Sequence, residues 1–257
     1  MLQSMSKINL ENLGAVVLSA GKGTRLNCID KPKAMLEVAG KPMIYYIIET
    51  LKKLGLSPEQ ICLVVGFKKE KIVDYFGSEV SYAFQEEQLG TAHATYVGVK
   101  VLEENIKYVL VLGGDDSLFY KVDTLKDLVG KHLNSGAVLT LLTSEVVDNL
   151  QYHQYGRVLK KGDRFEIKEK ESLSDEDKKI KEISTGTFVF ERDWFENNYQ
   201  KIGAIPGLGE YGLPSLVDIA NRQNEKTNLV ELKNKTEWLG INTAEELQKA
   251  NDLKKYE

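Results

Sequence analysis

The sequence predicts an α/β fold: a mostly parallel mixed sheet with helices on both faces, plus a smaller β-rich lobe. Three observations predict it. The runs AVVL near residue 15, ICLVV near 61 and VLVLGG near 109 are apolar throughout, as strands covered on both faces are. Segments with helical spacing of apolar residues alternate with these runs, which implies strands joined by crossover helices. After about residue 150 the alternation gives way to a hairpin, a charged stretch and shorter strands.

The elements follow in order. Ala15–Ser19 reads as a buried strand entering a glycine-rich loop. In KPMIYYIIETLKKLG, Ile44, Ile47, Ile48, Leu51 and Leu54 fall on one helical face, Pro42 suits the first turn and Gly55 the stop. Ile61–Gly66 is a second buried strand, FKKEKIVDYFG a short helix, and Val80–Phe84 a strand. GTAHATYVGVKVLEEN reads as a helix beginning near Gly90, and KYVLVLGGDD as an apolar strand ending in two carboxylates. Asp123 is expected to cap a helix carrying Leu125, Leu128, Val129 and Leu133, with AVLTLLT the next strand.

YGRVLKKGDRFEIKEKE predicts a β-hairpin turning near Gly162-Asp163, and Lys170–Glu182 an exposed loop or short helix. STGTFVF, NLVEL and EWLGI read as strands, and Thr243 with Glu246 forms a capping box that opens the last helix. No internal repeat, low-complexity tract or linker interrupts the chain. It is therefore expected to be one unit over 1–257, with 1–13 an N-terminal tail.

Composition excludes several classes. Lys plus Arg number 34 and Asp plus Glu 38, a net charge of −4, which argues against non-specific nucleic-acid binding. Two cysteines, Cys28 and Cys62, are too few for a zinc site or a disulfide framework and suit a reducing compartment. No apolar run approaches the roughly 18 residues of a membrane span, and MLQSMSKINLENLG lacks the pattern of a secretory signal. A cytoplasmic protein with no nucleic-acid or membrane partner is expected. Nothing in the sequence sets the oligomeric state.

The loop Leu18-Ser19-Ala20-Gly21-Lys22-Gly23-Thr24-Arg25-Leu26 follows a strand, so its backbone N–H groups can aim at a phosphate. It has neither Walker A spacing nor the third glycine of a dinucleotide fingerprint. Arg25 and Lys33 add the positive charge a polyphosphate needs; a tight turn with solvated cations is the plain alternative. Asp115 ends the VLVLGG strand, where parallel sheets bind ligands, and can hold Mg²⁺ against a phosphate. Asp116 is the second candidate, and a turn or cap role is the alternative for either. Gly113 and Gly114 allow close approach. Gln85 carries an amide able to read a base edge, and Gly90 and Thr91 present N–H groups at a helix start. Asn242 precedes the last helix, so a neighbour of the cap is its plain reading. Trp238 and Cys62 suit a core, and His93, His132 and His153 have no metal-ligand spacing. No Ser-His-Asp or Cys-His arrangement emerges.

Together these segments resemble the sugar-1-phosphate nucleotidyltransferase family. The first motif, L-S-A-G-K-G-T-R-L…K-P-K, follows the family pattern L-x-A-G-x-G-T-R-x…P-K. Q-E-E-Q-L-G-T-A-H-A, G-G-D after a strand, Y-G-R-V, I-K-E-K-E, I-S-T-G, G-E-Y and G-I-N follow in the same order. The likeness runs from about Gly14 to Leu253 and is greatest to the uridylyltransferase domain of bifunctional N-acetylglucosamine-1-phosphate uridylyltransferases. It implies the Rossmann-like nucleotide-diphospho-sugar transferase fold, with the β-rich lobe facing the sugar. It also implies Mg²⁺-dependent transfer of a nucleotidyl group, most simply from UTP, to N-acetylglucosamine-1-phosphate or a related sugar.

The resemblance implies roles too. Leu18 to Thr24, Gln85, Gly90 and Thr91 would bind nucleotide, with Arg25 and Lys33 at the phosphates. Arg25, Lys33 and Asp115 would be catalytic, Asp115 and Asn242 would hold Mg²⁺, and Gly114, Gly156, Glu169, Ser184 and Thr185 would face the sugar. Three departures fall on that sugar side. Gly113 stands where the acetylglucosamine enzymes have Tyr, Ser184 where they have Asn, and Gly212 and Pro214 replace Tyr and Thr. No hexapeptide repeat of a left-handed β-helix follows before Glu257, so neither acetyltransferase activity nor the usual trimer interface is expected. Transfer from dTTP, GTP or CTP to another phosphorylated acceptor, or a non-catalytic nucleotide-sugar-binding role, are the competing readings.

Overall fold

The computed structural model describes residues 9–26, 28–146, 155–205 and 209–256; His153 and residues 1–8 of the expected tail lie outside them. The first half contains β1 (Leu13–Leu18), a small hairpin of β2 (Glu37–Val38) and β3 (Lys41–Pro42), α1 (Met43–Leu54) and β4 (Ile61–Val65). It continues through α2 (Lys69–Phe76), β5 (Ser81–Phe84), α3 (Thr91–Val99), β6 (Tyr108–Gly113), α4 (Val122–Ser135) and β7 (Leu139–Glu145). The second half holds the hairpin β8 (Arg157–Lys161) and β9 (Arg164–Lys168), then β10 (Glu182–Glu191) and α5 (Arg192–Asn198). It closes with α6 (Ser215–Gln223), β11 (Thr227–Glu231) and α7 (Ala244–Lys255).

These strands build one sheet in the order β11-β7-β10-β6-β1-β4-β5, with β8 and β9 attached beyond β10. β1 runs parallel to both β4 and β6, so its backbone is paired on both edges. β10 is the exception: it lies antiparallel between β6 and β7. β8 joins β10 through Arg157 and Ile183, which makes the hairpin a lobe at one end of the sheet.

Alternation along the strands divides the core. Leu13, Ala15 and Val17 of β1 pack into the layer with Ile44, Ile47 and Ile48 of α1, Ile72 and Phe76 of α2, and Leu125 and Leu128 of α4. Val16 faces the other layer, with Ala92 and Ala94 of α3, Trp194 and Phe195 of α5, and Leu216 and Ile219 of α6. Each fully buried aliphatic side chain of this kind stabilises by about 1.5–3 kcal/mol. α3 lies close on the sheet: a Cβ at Gly98 would come 2.6 Å from Val16 and 2.9 Å from Val64. A third cluster, with Val38, Met43, Phe119, Leu239 and Ala250, seats α7 on the small hairpin.

The expected strands and helices are present with shifted ends, and some readings need correction. EWLGI is not a strand: Lys235–Glu237 forms a 3-10 turn, and the rest crosses the carboxyl ends of the strands without sheet pairing. Asp123 does not cap α4, because Lys121 is the N-cap and Asp123 lies in the first turn. Glu237 does that work from outside, accepting from Lys121 N at 3.1 Å and from the Thr124 hydroxyl. α3 ends at Val99 instead of continuing through VLEEN. The first residues of the expected tail that are described are tied down by Gln60, whose amide donates to Leu10 O and Leu13 O, each at 2.7 Å. The Lys170–Glu182 stretch holds two 3-10 turns around Asp177, which accepts from Lys168 and Ser174. Neither the β2–β3 hairpin nor α5 and α6 was expected. No described helix is long and apolar enough to cross a membrane.

His132 of α4 tests this packing. Its Nδ1 meets the Thr140 hydroxyl at 2.9 Å, its Nε2 is buried without a partner, and burial pushes its pKa down to about 4. The unfolded chain binds this proton near pH 6.5 and the folded chain does not, so stability falls as pH drops from about 6.5 to 4. This one group accounts for about 3 kcal/mol of that fall. Urea unfolding at several pH values should show the slope, and His132→Gln should flatten it; an unchanged slope would place the acid sensitivity elsewhere.

Candidate active site

The carboxyl ends of β1 and β6, the amino-terminal part of the antiparallel β10 and the segment before α7 enclose a cleft of about 540 Å³. Its floor begins where β1 ends. Ser19 N donates to Val64 O at 2.9 Å, and Ala20 O accepts from the Gln88 amide at 2.8 Å, so the loop leaves the sheet on a fixed path. Gly23 has φ +67°, the left-handed region that glycine enters at least cost, and its carbonyl accepts from Leu26 N to close the Thr24–Leu26 turn. A Cβ there would lie 2.7 Å from that of Lys33 and 2.9 Å from Cys28 Sγ, so glycine also lets the Lys33 segment pass.

Lys33 is the centre of the arrangement. Its ammonium contacts the Asp115 carboxylate and donates to Asn242 Oδ1 at 3.0 Å. Arg25 Nη2 donates to the same oxygen at 3.0 Å. Asn242 is held from below: its N–H donates to Glu246, the carboxylate that also closes the Thr243 capping box. The cap reading and the site reading of Asn242 are therefore both present in one geometry. Beside Asp115, the half-buried Asp116 receives the Ser117 hydroxyl at 3.1 Å, and burial and then the Asp115 charge push its carboxyl up.

At one end of the cleft stands Gln85, 5% exposed. Its amide nitrogen donates to Gly90 O at 3.2 Å and meets His93 Nδ1 at 3.0 Å, which leaves the amide oxygen to face a ligand. Gly90 has φ +98°, and a Cβ on it would come 2.6 Å from Tyr211 O. Ala92 N donates to that oxygen, Tyr211 N to Leu89 O, and Leu213 N to the Thr91 hydroxyl, a short strap between α3 and the segment before α6.

The other end is built by the hairpin lobe and β10. Register shifts between Ser184 and Phe188, a bulge in which Gly186 N donates to the Ser184 hydroxyl. Bulges of this kind re-aim side chains beside sites. The Thr185 hydroxyl is spent on Leu142 O at 2.7 Å. Gly156 lies against Lys168 O and the Glu169 carboxylate, and burial raises the pKa of Glu169. Tyr155 meets Trp238 edge to face at 4.8 Å. The Tyr155 hydroxyl and Trp238 Nε1 are buried without a hydrogen-bond partner, and both residues line the cleft.

The structure therefore brings Leu18, Ser19, Ala20, Gly21, Arg25, Lys33, Asp115 and Asn242 to one wall of the cleft. Gln85, Gly90 and Thr91 join them at one end, and Gly156, Glu169, Ser184 and Thr185 at the other. Four expected residues are not on its wall. Gly114 is buried under Ser19 with its N–H spent on Leu18 O, Lys22 lines a neighbouring hollow with Lys69, and Gly23 and Thr24 shape the loop behind Arg25. Tyr155, Trp238 and Gln88 line the cleft and were not expected there; Pro214, one of the departures on the sugar side, lines it as well. Tyr155 opens the Y-G-R-V motif and Gln88 lies inside Q-E-E-Q-L-G-T, so their motifs were the available signal. Trp238 reads as core by composition, and with 9% exposure it is core on one side and wall on the other.

A mostly parallel sheet with a glycine loop, two cations and a carboxylate where its parallel strands β1 and β6 end defines a phosphate-handling α/β enzyme. The sequence profile of the nucleotidyl transferase family matches residues 14–255, and the chain belongs to that family. It is 32% identical over 230 residues to the bifunctional protein GlmU of Streptococcus agalactiae, and 36% identical over 235 residues to that of Caldicellulosiruptor saccharolyticus. These alignments cover 89% and 90% of the chain but 49% and 50% of the relatives, so the chain spans about half the length of the curated relatives it matches. The solved structure of a Bacillus anthracis protein assigned as a glucose-1-phosphate thymidylyltransferase superposes with a TM-score of 0.72. It covers 94% of each chain at 23% identity, a likeness of fold.

The two thiols report on this geometry. Cys62 lies wholly buried in β4, and burial pushes its thiol up to about 12, whereas Cys28 is half-buried beside Gly23 and Lys33. Iodoacetamide at pH 8 should add one label to the native chain, at Cys28, and two after denaturation. Rapid native labelling of Cys62 would contradict the sheet as described.

Proposed function

We propose that the chain transfers a nucleotidyl group from a nucleoside triphosphate, UTP foremost, to a sugar-1-phosphate. N-acetylglucosamine-1-phosphate or a related sugar would be the acceptor, and pyrophosphate the other product. The observation that carries this is the Lys33 ammonium held between Asp115 and Asn242, with Arg25 on the same asparagine, where the two ends of the cleft meet. The motif resemblance supports UTP, with the Gln85 end taking the base and the Gly156, Glu169 and Ser184 end taking the sugar.

In this reading an oxygen of the acceptor phosphate attacks the α-phosphorus in line. A P–O bond forms, the bond to the β-phosphate oxygen breaks, and pyrophosphate leaves with the electron pair. Both reactants are anions, so the residues must screen repulsion and align the groups; no covalent intermediate is needed. Lys33 and Arg25 supply fixed positive charge, and the loop Leu18–Gly21 offers backbone N–H groups to the phosphates.

Asp115 and Asn242 fit Mg²⁺. Both present oxygen donors, and both already converge on a positive charge, the Lys33 ammonium. A hard cation held by one or two protein oxygens with phosphate completing its shell suits such a pair. Bound there, Mg²⁺ would add neutralising charge at the reacting phosphates.

Pyrophosphate release should appear with Mg²⁺ and vanish with EDTA when UTP, dTTP, GTP, CTP and ATP are crossed with a panel of sugar-1-phosphates. UTP should lead. Lys33→Ala and Asp115→Ala should each lower kcat/KM by about 10²–10³-fold. A change under tenfold for Lys33→Ala would remove it from the reacting centre. UTP binding without turnover of any pair would favour the nucleotide-sugar-binding alternative.

A further inference from the structure

Asp116 sits where no side chain at position 113 could coexist with it. A Cβ on Gly113 would lie 2.4 Å from Asp116 Oδ1, 2.9 Å from its Cγ and 3.0 Å from Oδ2. Glycine at 113 thus opens a space that the carboxylate fills. The carboxylate lines the cleft, and the donors that reach it are both local, the Ser117 hydroxyl and its own backbone N–H. The nearby cation, Lys33, is engaged by Asp115 and Asn242. A half-buried carboxylate without a cation of its own is costly unless donors reach it.

The surroundings point the same way. Burial, and then the charges of Glu246 and Asp116, push the Tyr155 hydroxyl up; it sits near Asn242 without a partner at hydrogen-bond geometry. Trp238 Nε1, on a side chain nine-tenths buried, is unpartnered at the same end of the cleft. Glu169 is a second half-buried carboxylate on that wall, and Lys170 beside it faces Glu171. This end therefore offers two acceptors and two unsatisfied donors, a set matched to a ligand rich in hydroxyl or amine groups.

We infer that Asp116 reads the acceptor, its carboxylate taking a hydrogen bond from a ring hydroxyl or ammonium of the sugar-1-phosphate. This rests on the proposed nucleotidyl transfer and names a specificity residue within it. Asp116 is then not a second metal ligand, and its removal should cost recognition of the sugar and spare the nucleotide.

The test uses the full chain with UTP, Mg²⁺ and the best acceptor of the panel, then with that acceptor's deoxy analogues and its amino-for-hydroxyl analogue. In the unaltered protein one deoxy analogue should lose about 10²-fold or more in kcat/KM, because the site's buried carboxylate is left unpaired. Asp116→Asn should lower kcat/KM for the parent acceptor by about tenfold or more, leave the KM for UTP within about twofold, and shrink the deoxy penalty. Gly113→Ala displaces only the carboxylate, a flexible side-chain end, and should shrink the same penalty. If the amino analogue outperforms its hydroxyl parent, ammonium is the donor read; if it does not, hydroxyl is. Turnover in which Asp116→Asn keeps both the acceptor kcat/KM and the deoxy penalty overturns the inference alone. A rise in the Mg²⁺ requirement with the deoxy penalty intact also overturns it and makes Asp116 a metal ligand. Absence of turnover by the unaltered protein with every pair overturns the proposed function, and this inference with it.

Discussion

One ammonium group ties the molecule's chemistry together. Lys33 belongs to the loop after β1, Asp115 to the end of β6, and Asn242 to the segment before α7, 82 and 209 residues away. Their meeting requires that β1 and β6 pair in register, that the loop fold back at Gly23, and that Thr243 and Glu246 cap α7 in place. The sheet serves to bring this cation and its two oxygens to one point. Phosphates entering the cleft would exchange these internal contacts for their own, so the resting cluster holds the charges aligned beforehand.

The parts of the fold legible in the sequence are those buried on both faces. AVVL, ICLVV and VLVLGG had to be strands because no amphipathic surface position is apolar on every side. The hairpin at Gly162 and the capping box at Thr243 carried local turn and cap chemistry. α5 and α6 escaped because they are short, seven and nine residues, and each shows only a few apolar positions. EWLGI misled for a physical reason: Trp238, Leu239 and Ile241 are apolar because they wall the cleft and seat α7, and this burial needs no strand pairing. The direction of β10 was equally hidden, since parallel and antiparallel central strands share the same apolar pattern.

At the site, motif and geometry divided the work. The loop, Lys33, Asp115 and Asn242 sit in motifs whose spacing marks them, and they converge. The far wall was harder to read. Ser184 and Thr185 lie in a bulge that no periodicity announces, and Tyr155 and Trp238 look like core until their unpaired polar atoms are seen beside a cleft. Gly114 shows the reverse error, a motif glycine conserving space for Ser19 and not for a ligand.

The placement of β10 has a consequence for how this chain acquires its shape during synthesis. β6 and β7 are made early, at 108–113 and 139–145, yet the strand that joins them spans 182–191. Until it emerges, β6 has a bare outer edge and β7 has no route into the sheet. An unpaired apolar edge is a template for another chain, and non-local pairing is slow. Of the strands made before 182–191, β1, β4, β5 and β6 are those that neighbour one another in the finished sheet, and their row ends at an open edge of β6 until the antiparallel keystone is made. That wedge also carries the Ser184–Gly186 bulge, so the strand that joins the two parts of the sheet also brings one wall of the cleft, to which Trp238 and Asn242 are added last.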